Sequence, residues 1–228
     1  MEQIEFDIWW KEFFDQFHSR TEGYEIVERL IQFIDELNDL KRQTFIDELV
    51  TVVVQKGSRW EFAAEILEKY ASIDQRNKVC YKLIDLKILD SIQPISSEDG
   101  YYLACLIRIL SCERSNEFIP IIQTYIEYHI NDSWFTSICW RLWRTHKEYA
   151  VQGWVKFFIS NESNAKSHSV IIQAFQNNPD ALRSLKSELI KQSPSIWKVF
   201  SDTILDNDMT DYLSQEEKKT LCSIIKSS

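Results

Sequence analysis

The chain has 228 residues, 44% of them hydrophobic and 27% charged, a balance that suits a globular domain with a sizeable core. It contains four Gly and four Pro, too few for the many tight turns of a β-sandwich or barrel. The net charge is −9, and residues 1–50 carry 13 acidic and 5 basic side chains, so most of the excess negative charge lies in the first fifth of the chain.

Apolar residues recur at helical spacing almost everywhere, which predicts an all-α protein. Two successive helices take about 35–40 residues, which is the period of HEAT-type repeats. We therefore expect antiparallel helix pairs stacked as a HEAT-like α-solenoid of about 12–13 helices in a single domain over 1–228, with an irregular helical bundle as the alternative. Helix starts are predicted near residues 4, 22, 40, 58, 74, 98, 117, 132, 148, 166, 179, 194 and 214.

The beginning of the chain is acidic and lacks the basic and apolar regions of a signal peptide. No apolar stretch reaches the roughly 20 residues that span a bilayer, so no membrane segment is expected. The first predicted helix instead carries a dense set of aromatic residues within an arc of about 140°. We expect these side chains to be buried together: Phe6, Trp9, Trp10, Phe13, Phe14 and Phe17.

Capping signals mark several of the predicted helix starts. Ser58–Glu61 and Ser214–Glu217 have the spacing of capping boxes, in which the Ser hydroxyl and the Glu carboxylate satisfy backbone N–H groups reciprocally. Asn178 and Ser193 each precede a Pro, which places a capping side chain before a Pro at the first helical position. These signals predict helices beginning at or next to each of the four positions.

The second predicted helix separates charge from apolar surface. Its apolar residues (Tyr24, Val27, Leu30, Ile31, Ile34 and Leu37) fill one half of the helical wheel. Its acidic residues and Gln32 fall between about 20° and 120° from Tyr24, with Arg29 at their edge. Ordinary solvent exposure and a binding surface both explain this arrangement. We call four of these residues the acidic face and predict that it binds a partner: Glu25, Glu28, Asp35 and Glu36.

A second candidate surface lies on the predicted helix between Trp134 and Lys147. Trp134, Phe135, Ile138, Cys139 and Leu142 should face the core, with Trp143 at the border. Trp140 falls instead among basic residues on the polar side. A Trp beside two Arg is typical of interface hot spots, although burial against a neighbouring helix is the alternative. We call the candidate residues the Trp/Arg patch: Trp140, Arg141 and Arg144.

The sequence offers little support for catalysis or metal binding. Asp15 and His18 have the spacing of half a di-iron motif, but no second copy occurs. No Ser or Cys lies in a nucleophile motif, and four scattered Gly cannot form a phosphate-binding loop. Glu61, Glu65 and Glu68 share a helical face, which solvent exposure explains. We expect no cofactor and no metal.

Five cysteines are present, an odd number without a C-x-x-C pair. Cys105 and Cys112 would lie two helical turns apart, roughly 10 Å, too far for a disulfide. Their apolar neighbours predict buried free thiols, as in a reducing compartment. We therefore expect a cytoplasmic protein.

Two segments resemble the alkylpurine DNA glycosylases of the DNA alkylation repair family, which are HEAT-like repeat proteins of similar length. One runs from Ser133–Ser137 on to Trp154–Lys156, and the other is Glu61–Leu67. Together they cover about a fifth of the chain, and their spacing differs from that of the family. The resemblance implies a HEAT-like fold.

The same resemblance argues against glycosylase activity. The family uses an aromatic residue and an Asp in the first segment, and an Arg further along the chain. Aligned on Trp134, those positions carry Phe135 and Cys139, and the Arg position falls near His168. The Asp and the Arg are therefore missing.

The sequence as a whole favours a non-enzymatic helical-repeat protein that binds a basic protein partner. An immunity or inhibitor protein that neutralises a cationic toxin would follow this electrostatic logic. The alternative is a nucleic-acid-binding or glycosylase-like protein on the same scaffold. The net charge of −9 makes nucleic acid the less favoured partner, because phosphate contacts depend on Lys and Arg. An enzyme with an unrecognised site is a third class.

Overall fold

The computed structural model describes residues 3–17, 23–86, 97–114, 116–130, 134–161, 178–206 and 213–227. All regular secondary structure in these ranges is helical, which confirms the all-α prediction. The chain divides into two compact units, Met1–Tyr128 and His129–Ser228. The single-domain expectation for 1–228 stays a prediction, and each unit is described by itself.

The first unit contains seven α-helices among its described residues, with a short 3₁₀ turn at Asn116–Phe118 before the last of them. They are α1 Gln3–Asp15, α2 Gly23–Glu36, α3 Asp39–Val54, α4 Trp60–Tyr70, α5 Ile73–Leu86, α6 Ser97–Ser111 and α7 Ile119–Tyr128. From α1 to α6, helices pack on the next but one along the chain: α1 on α3, α2 on α4, α3 on α5 and α4 on α6, whereas α7 packs on α6. Additional contacts join α3 to α4 and α5 to α6.

The described part of the second unit contains five α-helices. They are α8 Phe135–Thr145, α9 Lys147–Ser160, α10 Pro179–Gln192, α11 Pro194–Asp206 and α12 Gln215–Lys226. α9 packs on α8 and α10, and α10 also contacts α11 and α12. The large side chains of its core include Trp154 and Phe158, both almost fully buried. The helix start predicted near residue 166 lies outside the described residues.

In the first unit, an arginine at the start of one helix donates hydrogen bonds to the end of the preceding helix, both between α2 and α3 and between α4 and α5. Arg42, in the first turn of α3, donates to the carbonyls of Ile34 (3.1 Å) and Leu37 (3.0 Å) at the end of α2. Arg76, in the first turn of α5, donates to the carbonyls of Glu68 (3.3 Å) and Ala71 (3.1 Å) at the end of α4. The final carbonyls of a helix have no partner within it, so each guanidinium supplies missing donors.

The two corners are related by a shift of 34 residues along the chain. The same shift relates the ends of α2 and α4 and the starts of α3 and α5. It also relates the buried pairs Phe45 and Val79, and Leu49 and Leu83. Arginine capping therefore occurs at two equivalent corners of the first unit, 34 residues apart.

The aromatic residues of α1 form a cluster, as predicted, but not all of them are buried. Phe6, Trp10 and Phe14 are buried, whereas Trp9, Phe13 and Phe17 are half-buried. The cluster extends to the neighbouring helices: Trp9 stacks on Phe33 of α2 at 4.5 Å between ring centres, and Phe14 lies 5.2 Å from Phe62 of α4. Stacked and edge-to-face ring pairs of this kind add to the stabilisation from area burial.

Three of the four predicted capping positions lie next to helix starts as expected. The Ser214–Glu217 capping box is complete, and the Asn178 side chain accepts from the backbone N–H of Asp180. α11 begins at Pro194. The Ser58–Glu61 capping box is wrong, because the residue preceding α4 is Arg59, which has left-handed backbone and makes no side-chain capping hydrogen bond.

Candidate functional site

The core anchors α2 through one side, and the acidic face lies largely on the other. Ile26, Leu30 and Ile34 are buried at the 3- to 4-residue spacing of a helix. Glu28 and Glu36 are exposed, and no described residue forms an ion pair with either. A rigid helix therefore presents two open carboxylates to solvent.

The other two residues of the acidic face are engaged within the protein. Glu25 is half exposed and forms an ion pair with Arg29, 3.0 Å away and one turn along α2. Asp35 accepts a hydrogen bond of 2.7 Å from the hydroxyl of Tyr70 on α4. Burial raises the pKa of Tyr70, and the bond to Asp35 raises it further. Glu28 and Glu36 are therefore the more available groups for a partner.

Tyr24 differs from the sequence prediction. The helical wheel predicts that Tyr24 belongs to the apolar stripe of α2, but its side chain is 66% exposed. The buried stripe is centred on Ile26 and Leu30, which turns Tyr24 in the first turn of the helix towards solvent. An exposed aromatic ring one turn before Glu28 adds apolar contact area beside the acidic face.

The Trp/Arg patch lies on α8, whose core side agrees largely with the prediction. Phe135, Ile138, Cys139 and Leu142 are fully buried. The prediction that Trp134 faces the core is wrong, because this residue precedes α8 and is 38% exposed.

Trp140 is half-buried, between the two alternatives that its sequence position left open. Its ring centre lies 6.3 Å from that of the buried Trp154 on α9. Arg141 is half-buried and Arg144 is exposed. The indole of Trp140 thus packs partly on the core and leaves part of its surface open beside a basic side chain.

The acidic face and the Trp/Arg patch lie in different units of the chain. The acidic face is on α2 of the first unit, and the Trp/Arg patch is on α8 of the second unit.

A groove of about 560 Å³ between α9 and α10 was not predicted. Three exposed basic residues, Lys147, Arg183 and Lys191, line it together with Glu148 and Glu188, and we call it the basic groove. Arg183 pairs with Asp180 at 2.6 Å and Lys191 with Glu188 at 3.2 Å. The Lys147 ammonium lies 5.1 Å from the ring centre of Trp143. The eight-residue spacing of Arg183 and Lys191 on one helical face was the available sequence signal.

The prediction that Glu61, Glu65 and Glu68 form a solvated face is wrong for Glu68. Its carboxylate lies 2.7 Å from the Arg108 guanidinium, with the two side chains 8% and 10% exposed. Arg76 is also buried here, with its guanidinium 3.8 Å from Glu113. This buried charge cluster connects α4, α5 and α6. Glu68 therefore contributes to the packing of these helices and is not part of a solvent-exposed face.

The described residues contain no cluster of His, Cys, Asp and Glu that could hold a metal ion. His18 and His168 lie outside the described residues, so the Asp15–His18 pair has no geometry to report. All five cysteines are free. Burial raises the pKa of the Cys105 thiol to about 11 and raises that of Cys139 as well, so neither is a thiolate at neutral pH.

No helix in the described part of the chain is both long enough and apolar enough to cross a membrane. The positions matched to the glycosylase family, Phe135 and Cys139, are fully buried. Comparison with family models, characterised proteins and solved structures finds no match to this chain.

Proposed function

We propose that this chain is a non-enzymatic helical-repeat protein that binds a basic protein partner through the acidic face, in the manner of an immunity or inhibitor protein. The observation that carries the proposal is the segregation of charge. Residues 1–128 contain 24 acidic and 14 basic side chains, whereas residues 129–228 contain 11 and 12. Within the acidic unit, Glu28 and Glu36 extend from a helix that the core holds in place.

Open carboxylates on a fixed helix favour association with a cationic surface. They attract an oppositely charged partner over about a Debye length, near 8–10 Å in physiological salt. Steering of this kind raises association rates and rejects partners of like charge. Tyr24 beside the face supplies an aromatic contact once the partner has docked.

The repeat architecture is part of the proposal. Packing of every second helix from α1 to α6 is what stacked helix pairs produce, and the arginine corners recur after 34 residues. Both features support an α-solenoid, with a repeat shorter than the roughly 40–47 residues of HEAT repeats. The Trp/Arg patch serves as a second contact through the open part of Trp140, and the five free thiols support a cytoplasmic location.

The test begins with capture of a partner from the native host and continues with surface plasmon resonance at low and high salt. Glu28→Lys/Glu36→Lys reverses the two open charges and spares the Glu25 and Asp35 contacts. We expect association to slow by about tenfold at low salt, with little change in dissociation. Asp74→Lys/Glu127→Lys is the matched control, because it reverses two other exposed charges of the same unit. Binding of the Glu28→Lys/Glu36→Lys variant like wild type at low salt would rule out the acidic face.

A second candidate function, nucleic-acid binding, is favoured by the basic groove. Lys147, Arg183 and Lys191 border it, and Arg144 is exposed at the end of α8. If the groove binds phosphates, affinity for duplex DNA will fall steeply with salt, and Lys147→Gln/Arg183→Gln will flatten that dependence. The basic-partner proposal expects no such binding and no release of alkylated bases from duplex DNA.

A further inference from the structure

The first two helices bury one side against α3 and α4 and leave the other side to solvent. Phe6 of α1 lies 5.4 Å from Phe45 of α3, measured between ring centres. Phe14 of α1 lies 5.2 Å from Phe62 of α4. α2 contacts the same two helices. The opposite sides of α1 and α2 therefore point the same way, away from α3 and α4.

α1 and α2 meet along a line of aromatic side chains. Trp9 stacks on Phe33 of α2 at 4.5 Å between ring centres, and the Arg29 guanidinium of α2 lies 5.2 Å from the ring centre of Phe17. Later residues of α1 thus meet earlier residues of α2, so the two helices are antiparallel. Phe13 lies 5.1 Å from both Trp9 and Phe17. We call these four half-buried residues the aromatic seam: Trp9, Phe13, Phe17 and Phe33.

Exposed carboxylates border the aromatic seam on both helices. On α1, Glu5 lies four residues before Trp9 and Glu12 lies three residues after it, so both share its face of the helix. On α2, Glu36 lies three residues after Phe33 in the same relation. Because the buried sides of both helices face α3 and α4, these carboxylates lie on the common open side. The seam therefore runs between two acidic ridges.

Basic residues of the two helices do not balance this charge. α1 and α2 together contain eight acidic and two basic residues. Arg29 already pairs with Glu25 at 3.0 Å. Lys11 lies two residues after Trp9, which turns it to the far side of α1. The open side of the pair is therefore strongly negative, and a cationic partner complements it.

Each ridge also exposes a large apolar side chain. Ile8 is 55% exposed and lies on α1 between Glu5 and Glu12, three residues after one and four before the other. Tyr24 is 66% exposed and lies one turn before Glu28 on α2. A terminal helix pair that needs only a polar cap exposes polar residues, whereas these side chains add apolar contact area for a partner.

We infer that the aromatic seam is the docking site for an amphipathic helix of the basic partner. The apolar side of that helix lies along the seam and beside Ile8, and its Lys and Arg side chains reach the carboxylates of both ridges. The groove between two antiparallel helices fits a third helix through its side-chain ridges. The inference rests on the proposed function and extends its surface from α2 to α1. A second copy of this face would bring like charges together, which excludes it as the occupant.

The experiment measures binding of a fluorescein-labelled amphipathic helical peptide, with leucine on one side and lysine on the other, to the full-length protein. Fluorescence anisotropy gives the affinity at low and high salt. A peptide of the same composition in scrambled order keeps the charge and loses the apolar side, so it should bind about tenfold more weakly. In ¹⁵N-labelled protein, the indole N–H resonance of Trp9, assigned by its loss in Trp9→Phe, should shift with the amphipathic peptide.

Two α1 variants test the extension beyond the acidic face. Glu12→Lys should weaken the amphipathic peptide by about fivefold at low salt and by less at high salt, because salt screens the charge. Ile8→Ala should weaken it by about threefold at both salt concentrations, because it removes apolar contact. Both residues are exposed, so the melting temperature should stay unchanged. Asp74→Lys/Glu127→Lys reverses exposed charges on α5 and α7 and should leave the affinity unchanged.

Glu28→Lys/Glu36→Lys separates this inference from the proposed function. We expect weaker binding in that variant and in both α1 variants. Weaker binding in that variant alone, equal binding of the two peptides or absence of a Trp9 shift rejects the seam and retains the acidic face. Weaker binding in the α1 variants alone rejects the acidic face and also the seam, which needs both ridges. Binding that no variant reduces, or that Asp74→Lys/Glu127→Lys reduces equally, rejects both.

Discussion

The two units of the chain are both helical, but the first is strongly acidic and the second is close to neutral. Residues 1–128 carry 24 acidic against 14 basic side chains, and residues 129–228 carry 11 against 12. Negative charge needed only for solubility could be spread along the whole chain. Under the proposed function, the excess of acidic residues in the first unit belongs to the surface that binds a basic partner.

The units also differ at the corners between successive helices. In the first unit, Arg42 and Arg76 reach back to cap the preceding helix. In the second unit, single residues connect α8 to α9 and α10 to α11. The His146 N–H donates to Leu142 at 2.6 Å while its carbonyl accepts from Ala150 at 3.2 Å, so one residue ends a helix and begins the next. Ser193 acts in the same way. At such a corner, the linking residue satisfies its own backbone N–H and C=O groups.

The largest effect is expected from Arg76→Met. The Arg76 side chain is 4% exposed, and its guanidinium also donates to the Ile109 carbonyl of α6, so the change leaves carbonyls of two helices without donors. We expect the free energy of unfolding to fall by about 4 kcal/mol. Urea denaturation measures it. Arg42→Met is the matched control, since Arg42 is half-buried and caps α2 alone, and should cost about 1.5 kcal/mol. Equal losses in the two variants would contradict the distinction between the corners.

In the second unit, Trp143→Ala and Trp140→Ala should differ. Trp143 is 4% exposed, so its truncation should cost about 3 kcal/mol. Trp140 is half-buried against Trp154 and should cost about 1 kcal/mol, with a further loss of partner binding through faster dissociation. Thermal denaturation and surface plasmon resonance separate the two effects. A Trp140→Ala variant as unstable as Trp143→Ala would assign Trp140 wholly to the core.

Lys186→Met tests the cation that closes the end of α12. The buried Lys186 ammonium donates to the carbonyls of Ile224 (2.8 Å), Ile225 (3.2 Å) and Ser227. Its loss should cost about 2 kcal/mol, because charge-assisted hydrogen bonds are removed. Hydrogen exchange should show faster exchange in α12 and unchanged protection in α8. Uniform loss of protection in both helices would mean that Lys186 supports the whole unit.

The smallest effect is a pH dependence at Asp47 in the first unit. Burial raises the pKa of Asp47, but hydrogen bonds from Gln75 and Lys78 outweigh it and bring the pKa below 3.8. The carboxylate therefore stabilises the fold above pH 3.8, and this contribution is lost as the pH falls through the lower folded pKa. Asp47→Asn should cost about 0.5 kcal/mol at pH 7, and this cost should shrink as the pH falls below 3.8. A cost that does not shrink in this range would assign the effect to packing.

Helix positions were largely predictable, because their signals are local. Starts expected near residues 22, 40 and 74 are found at 23, 39 and 73. Periodic apolar residues place one side of a helix in the core, and the Ser214–Glu217 box closes within a single turn. The exposed carboxylates of Glu28 and Glu36 followed from the same periodicity.

The surroundings of residues at the edge of a helix's apolar stripe depended on neighbouring helices. Glu68 had the pattern of a solvated face, but α6 places Arg108 2.7 Å from its carboxylate. For Trp140 the sequence left burial and exposure open, and α9 places Trp154 against its ring. Arg59, in the loop before α4, lies over the Phe14 ring because α1 packs beside that loop. The sequence by itself determined the helices and the side of each that faces the core, because hydrogen bonding and periodicity act within one segment. Only the tertiary structure decided which polar residues are capped, paired or left open, because a residue at the edge of an apolar stripe is covered only if a distant helix packs there.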